Sequence, residues 1–439
     1  MNCKTIILKG TIVLTVANIT ARIMGFFFRI YLSRAFLPSQ IGVYQLLLPL
    51  YTFIAILSCG GVKTASVQLI SSSDGSSEYP DPYSILKTAL SYTLLLSFLC
   101  ILVMHNYAEF FSKLIYGNPT QANLIRLITL ALPFAAAHNC VCGCSIALGN
   151  FRISVFSQIL EQAVRIFTIL ILKSGAIVPS DIFSVEILIF GMIFSEMCSC
   201  GYSIRAFQKY FSAPFSGKSR KCTSIFCPLI RLAVPLTFNQ ILPSMFHTVE
   251  ASAIPFMLRC HGYTMAESLG IYGIITGIAL PCIVFPSAVT QSLSTTLLPA
   301  VSSLHSRSRS DRIVRLIRKV FILCISFGLF FNCIFFIMGK FIGNVIFENE
   351  LSGIFIRTLS FICPFLYVNT CLISCLNGLG KPFYTLKCTL LAVLIRLLFI
   401  YLFVPSHGIS GYLWGLLAGQ IFTTVYSMIM INTTLSVTS

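Results

Sequence analysis

Arg22 and Arg29 lie seven residues apart in ARIMGFFFRIYLSR (21–34), a stretch that is otherwise mostly apolar. Seven residues is close to two helical turns, so both guanidinium groups fall on one helix face. Guanidinium matches phosphate with forked hydrogen bonds. A face with two such groups therefore suits a pyrophosphate. Other charges recur in apolar surroundings: Lys63, Arg126, Arg165, Arg231, Arg357 and Arg396 are basic, and Glu161, Glu196 and Glu250 are acidic. Glu161 precedes Arg165 by four residues, the favourable helical ion pairing. Arg396 has no acid at that spacing, since Ala392 stands there, so positive charge is expected to be left over. His247 and Glu250, one turn apart, fit a proton relay, a coupling-cation site or a hydrogen-bonded packing pair, and Glu196 carries the same alternatives. His138 and His105 read as packing or interface residues.

The elements that hold these charges follow from composition. The 439 residues are 56% hydrophobic and 10% charged, with mean hydropathy +0.88. Soluble domains carry about 25% charged residues. The chain is expected to be an all-α, polytopic membrane protein. Windows of about 19 residues give twelve candidate spans, with cores at 10–31, 42–70, 86–105, 123–148, 154–172, 185–204, 228–250, 270–298, 320–338, 353–377, 384–403 and 409–431. The second and eighth contain Gly or Pro and are long, so tilting or kinking is expected. The N-terminus reads as an uncleaved first span.

An arginine at the bilayer centre costs about 2.5–3.5 kcal/mol on insertion scales. Lys63, Arg126, Arg231 and Arg357 lie near span ends, where they can snorkel. For Arg22 and Arg29 a water-filled cavity is favoured over the alternative, in which they hold neighbouring helices through backbone carbonyls. A positive cavity favours an anionic substrate; a site for cationic drugs should be acidic or aromatic.

Lys and Arg are concentrated on one side. With the N-terminus inside, 17 fall in inside segments and 5 outside, which places both termini in the cytoplasm. The basic runs RSRSDRIVRLIRK and GKSRK are topology signals beside anionic headgroups rather than nucleic-acid sites.

An internal repeat is visible. IRLITLALPFAAAHNCVCGCSIALGN (125–150) aligns with IRTLSFICPFLYVNTCLISCLNGLGK (356–381) at a constant offset of 231, which also carries Arg165 onto Arg396. IGVYQLLLPLYTFIAI aligns with LGIYGIITGIALPCIV at offset 228. The chain thus divides into two six-helix bundles, 1–215 and 222–439, joined by a polar linker near 207–225. Parallel repeats of this kind are a transporter architecture with the site expected between the halves.

Catalytic patterns are missing. There is no P-loop, no H-E-x-x-H and no G-x-S-x-G, so neither an enzyme nor a cofactor is expected. No metal is expected either: the cysteines of CVCGC and CSC are spaced by two, which points them to different helix faces.

GTIVLTVANITARIMGFFFRIYLSRAFLPSQIGVYQLLLPLY resembles the opening of the stage V sporulation protein B family. Its signature here is Arg22-x-x-Gly25-Phe26-x-x-Arg29, then Gly42-x-Tyr44-Gln45. QILEQAVRI, LAVPLTFNQI, GYTMAESLGIYGIITGIALPCIVFP, SLSTTLLPAVS and NGLGKP continue the similarity along the chain. That family belongs to the MOP exporters, with the MurJ-type lipid II flippases and the polysaccharide flippases. The resemblance implies a MOP/MATE-like fold in a bacterial cytoplasmic membrane and alternating-access export of a lipid-linked pyrophosphate glycan, in spore cortex peptidoglycan synthesis. It implies Arg22 and Arg29 as headgroup contacts; the embedded charges themselves add Arg165, Arg396 and Lys63 as further basic candidates. Glu250, His247, Glu161 and Glu196 are the candidates for a coupling cation. Cell-wall synthases are conceivable partners beside the membrane lipids. Relatives usually have Pro where this chain has Lys63, and many have fourteen spans. A gradient-driven multidrug or small-solute antiporter is the alternative on the same fold, and a non-transporting scaffold ranks third.

Overall fold

The computed structural model describes residues 3–71, 82–174, 184–210, 222–306 and 310–438. Among them every regular element is helical: α1 Cys3–Ala35, α2 Pro38–Ser71, α3 Pro82–Asn106, α4 Ala108–Tyr116, α5 Ala122–Thr129, α6 Leu132–Ala147, α7 Phe151–Lys173, α8 Ser184–Tyr210 and α9 Cys222–His261. Then come α10 Met265–Ile274, α11 Leu280–Val284, α12 Ser287–His305, α13 Ser310–Phe341, α14 Glu350–Leu359, α15 Cys363–Gly378, α16 Pro382–His407 and α17 Ile409–Thr438.

Eleven helical stretches among the described residues are long and apolar enough to cross a membrane, and each overlaps one of the expected spans from the second to the twelfth. The expected first span falls within α1. Long outward faces stay apolar, as on α13, where Ile322, Leu323, Leu329, Phe330 and Ile337 are all exposed. Such a surface suits hydrocarbon rather than water.

The eighth expected span departs from one continuous helix. Met265–Val284 is the apolar crossing, and α12 begins anew after Pro286. Between α10 and α11 the chain makes a π turn, Ile275–Ala279, and Ile342–Ile346 forms another after α13. Proline explains the first: Pro281 has no amide to close a regular α-helical turn.

The helices pack into two compact units. One comprises Met1–Gly25 and Leu46–Thr248; the other comprises Phe26–Gln45 and Val249–Ser439. These borders fall inside α1, α2 and α9. Most of the expected polar linker, residues 211–221, lies outside the described residues, as do Lys218, Arg220, Lys221, Arg307 and Arg309 of the basic runs.

In the first unit Val62, Ile85, Cys140, Cys144, Ile153 and Leu229 are buried together. In the second, Leu297, Val301, Cys324, Cys371, Cys375 and Ile431 form a like cluster. Cys140 and Cys371 are repeat mates, as are Cys144 and Cys375.

The repeat extends to single hydrogen bonds. Helix α5 breaks before Pro133 of α6, and α14 breaks through a 3-10 turn before Pro364 of α15. At the two breaks Thr129 Oγ1 donates to the Arg126 carbonyl and Ser360 Oγ donates to the Arg357 carbonyl, both at 2.7 Å. Thr93 meets Cys140 at 3.5 Å as Cys324 meets Cys371 at 3.6 Å. Gly149 and Gly380 end α6 and α15 with φ of +78° and +72°. The following amides of Asn150 and Lys381 reach back to Ser145 and Leu376. That is the left-handed glycine stop of a helix, where any other residue is strained.

Candidate functional site

Arg29 leaves α1 within the second unit, and its Nη1 donates to the Gly277 carbonyl at 2.9 Å. Gly277 lies in the π turn, four residues before Pro281, whose missing amide would have met that carbonyl in a regular α-helix. Arg34 does similar work at the other π turn: Nε donates to Ile346 and Nη2 to Val345, at 3.0 and 2.9 Å, with Glu348 Oε1 3.3 Å away. Gly42 makes the nearby approach of α2 to α10 feasible, since a Cβ there would fall 1.9 Å from the Leu269 carbonyl oxygen.

Arg396 corrects the expectation of a guanidinium without an acid. Its Nε and Nη2 donate to the two carboxylate oxygens of Glu250 at 2.7 and 2.9 Å. Glu250 is 5% exposed. The acid comes from α9, 146 residues earlier, so spacing along α16 could not reveal it. A buried fork-to-fork pair of this kind fixes geometry and neutralises both charges. Glu250 is thereby engaged with a cation of its own protein. His247, by contrast, is exposed.

Arg165 is paired as the spacing predicted: its Nη2 donates to Glu161 Oε1, and its Nε reaches Ser195 Oγ at 3.4 Å. Ser195 and Glu196 lie mid-way along α8. Beside that pair stands His138 of α6, whose Nδ1 is 3.7 Å from Glu196 Oε2. Its Nε2 is 3.0 Å from Ser157 Oγ, and Ser199 Oγ is 3.4 Å from Nδ1. Donor atoms of His138, Glu161 and Glu196 fall within 4.8 Å of one another. Arg165 already supplies a positive charge to Glu161, which disfavours a metal ion there. Nothing in the sequence singled out His138: its acid and hydroxyl partners lie on α7 and α8, and a lone histidine in an apolar helix gives no spacing signal.

Lys63 of α2 reaches Asn139 Oδ1 at 3.4 Å, and its stem packs against Gly143. Arg22 is partly buried on α1 and takes part in a polar or electrostatic interaction of its own. Arg126 bonds Asn123 Oδ1 at 3.0 Å, and its repeat mate Arg357 covers the Phe336 ring at 4.4 Å from the centroid. The cysteines of CVCGC are buried as small polar-tipped packing groups; Cys142 sits 3.4 Å from Ser157 Oγ.

A polysaccharide biosynthesis protein family profile matches residues 7–305, and the chain belongs to that family. The chain is 22% identical over 432 residues to stage V sporulation protein B of Bacillus subtilis (strain 168), covering 96% of this chain and 83% of the relative. It is 20% identical over 452 residues to lipid II flippase MurJ of the same organism, covering 97% and 82%. Among solved structures it resembles an inward-facing multidrug resistance MATE family transporter of the MOP superfamily, with TM-score 0.76, 13% identity and coverage of 96% and 95%. It also resembles lipid II flippase MurJ in an inward closed conformation, with TM-score 0.71, 13% identity and coverage of 96% and 87%. The fold is that of the MOP and MATE transporters, and eleven helical stretches among the described residues are long and apolar enough to cross a membrane.

Proposed function

We propose that the chain is a flippase of a bacterial cytoplasmic membrane that exports a lipid-linked anionic cell-wall or polysaccharide precursor by alternating access. The substrate is a polyprenyl-pyrophosphate glycan of the lipid II kind, and the setting is spore cortex peptidoglycan synthesis. The observation that carries this reading is similarity along 96–97% of the chain to proteins named stage V sporulation protein B and lipid II flippase MurJ. The six-span repeats 1–215 and 222–439 are the halves of the cycle, and the Lys/Arg bias places both termini in the cytoplasm.

The basic candidates separate into two groups. Arg165 and Arg396 are matched to Glu161 and Glu250 and hold the helices in place. Arg22 and Lys63, both of the first unit, carry the headgroup contact. Native mass spectrometry of the protein purified in mild detergent tests this. A bound polyprenyl-pyrophosphate glycan, depleted in Arg22→Ala, is the expected result; phospholipid alone in both samples contradicts it.

The likeness to a multidrug transporter favours a second reading, a drug or small-solute antiporter. Drug-gradient uptake by vesicles that bind no polyprenyl-pyrophosphate lipid would select it.

A further inference from the structure

The first unit holds an ionisable pair where the second holds its neutral counterpart. At offset 231 His138 corresponds to Asn369. At offset 224, which aligns Gly191 with Gly415 and Tyr202-Ser203 with Tyr426-Ser427, Glu196 corresponds to Gln420. The packing agrees: a Cβ on Gly191 would meet the Arg165 carbonyl at 3.4 Å, and one on Gly415 would meet the carbonyl of its repeat mate Arg396 at 3.6 Å. Asn369 Nδ2 donates to Gln420 Oε1 at 2.7 Å, and Asn369 Oδ1 accepts from Thr424 Oγ1 at 2.7 Å. This neutral set is complete without a proton to exchange. The same frame position in the first unit carries His138 against Glu196. Packing therefore does not require ionisable groups there.

Charge balance says what they do. Glu161 and Glu196 bring two negative charges and Arg165 one positive. Lys63 is hydrogen-bonded to Asn139 rather than to either acid, and its charge is felt by Cys59 and Cys142 beside the cluster. Glu196 is 9% exposed, and a carboxylate so buried calls for a counter-charge. Cys142 on α6 also hydrogen-bonds His138 and is a second titratable partner of the imidazole, and the Cys200 thiol stands on α8. From α2, Cys59 and Tyr51 lie within electrostatic reach of Glu196. The Tyr51 hydroxyl is buried and has no hydrogen-bond partner among the described residues. From α3, Thr93 meets Cys140 and adds no charge.

We propose that His138 and Glu196 form the binding site of one exchangeable proton, and that this proton is the coupling ion of the transporter. Taking up the proton gives an imidazolium facing a carboxylate and brings the set Glu161, Arg165, Glu196 and His138 to zero net charge; releasing it leaves that set with one net negative charge. Two states of different charge, set by pH on the side to which the site opens, are what a proton-driven cycle needs. The second unit, with Asn369 and Gln420, exchanges none. The coupling role rests on the transporter reading above, whereas the proton site itself does not.

The test grafts the second unit's pair onto the first: His138→Asn with Glu196→Gln. The full chain is reconstituted in lipid, and its infrared difference spectrum is recorded between acid and alkaline pH. The expected result is an imidazole-carboxylate titration present in the wild type and lost in the double variant, which keeps its monodisperse elution. An unchanged spectrum in the double variant overturns the site. In vesicles loaded with a fluorescent undecaprenyl-pyrophosphate glycan, one coupled proton gives about a tenfold shift in the transbilayer ratio per imposed pH unit, and the double variant gives none. A ratio that ignores pH but follows an equal sodium gradient overturns the coupling role while the lipid reading stands. An intact titration with no lipid movement under any gradient removes the lipid reading and leaves the proton site in place.

Discussion

The Arg29 guanidinium fills the place of an amide that Pro281 lacks, donating at 2.9 Å to the Gly277 carbonyl. The arginine is thus part of the helical frame of the second unit. Leaving a buried carbonyl unsatisfied costs about 1–3 kcal/mol. Arg29→Ala should lower the thermal unfolding midpoint of the purified protein. Pro281→Ala restores an amide to that carbonyl, so it should recover part of the loss in the Arg29→Ala background. Additive midpoints from the double-mutant cycle would show that the two residues do not share the carbonyl.

Glu250 and Arg396 give a sharper contrast. Removing one partner of a buried ion pair costs about 3–5 kcal/mol, because the remaining charge is left without compensation. Glu250→Ala alone should therefore reduce stability strongly, whereas Glu250→Leu combined with Arg396→Met should lie much nearer the wild type. The measurement is the unfolding midpoint of each variant in the same detergent. Equal losses in the single and double variants would contradict a mutually neutralising pair.

The two helix stops make a matched prediction. Gly149 and Gly380 have positive φ, and an added Cβ at either would meet nothing within 4 Å. Any cost of alanine is then backbone strain alone, about 1 kcal/mol at each site. Gly149→Ala and Gly380→Ala should shift the unfolding midpoint by similar amounts. A large effect at one and none at the other would mean that the repeat does not extend to the local energetics.

Much of this was legible in the sequence, and the reasons are physical. Apolar runs of bilayer length announce the spans because lipid leaves no other option to a backbone. The constant offset from Arg126-Arg357 through Gly149-Gly380 announced the repeat, and the hydrogen bonds at Thr129 and Ser360 match across it. Glu161 with Arg165 was readable because a helix turns on a fixed period. Arg396 with Glu250, Arg29 with Gly277 and His138 with Glu196 were not readable, because each joins different helices far apart in the chain. Likewise the eighth span read as one long run, since hydropathy does not register the break at Pro286. The expected surplus of positive charge does not sit on Arg396, because the pairing that neutralises it is tertiary.

The proposed reading assigns Arg22 to the substrate headgroup. Arg22→Lys keeps the charge but loses the fork that grips two phosphate oxygens. It should retain a minor part of the lipid binding that Arg22→Ala abolishes, measured as displacement of a fluorescent polyprenyl pyrophosphate. Equal binding by wild type, lysine and alanine variants would remove the assignment.

The most direct measurement follows a fluorescent undecaprenyl-pyrophosphate glycan across the bilayer of vesicles holding the purified full chain. Translocation well above protein-free vesicles, falling by roughly tenfold or more in Arg22→Ala as expected for loss of a charged contact, is the predicted result. Wild-type vesicles that leave the lipid on its original leaflet, under proton and sodium gradients of either direction, would contradict the account.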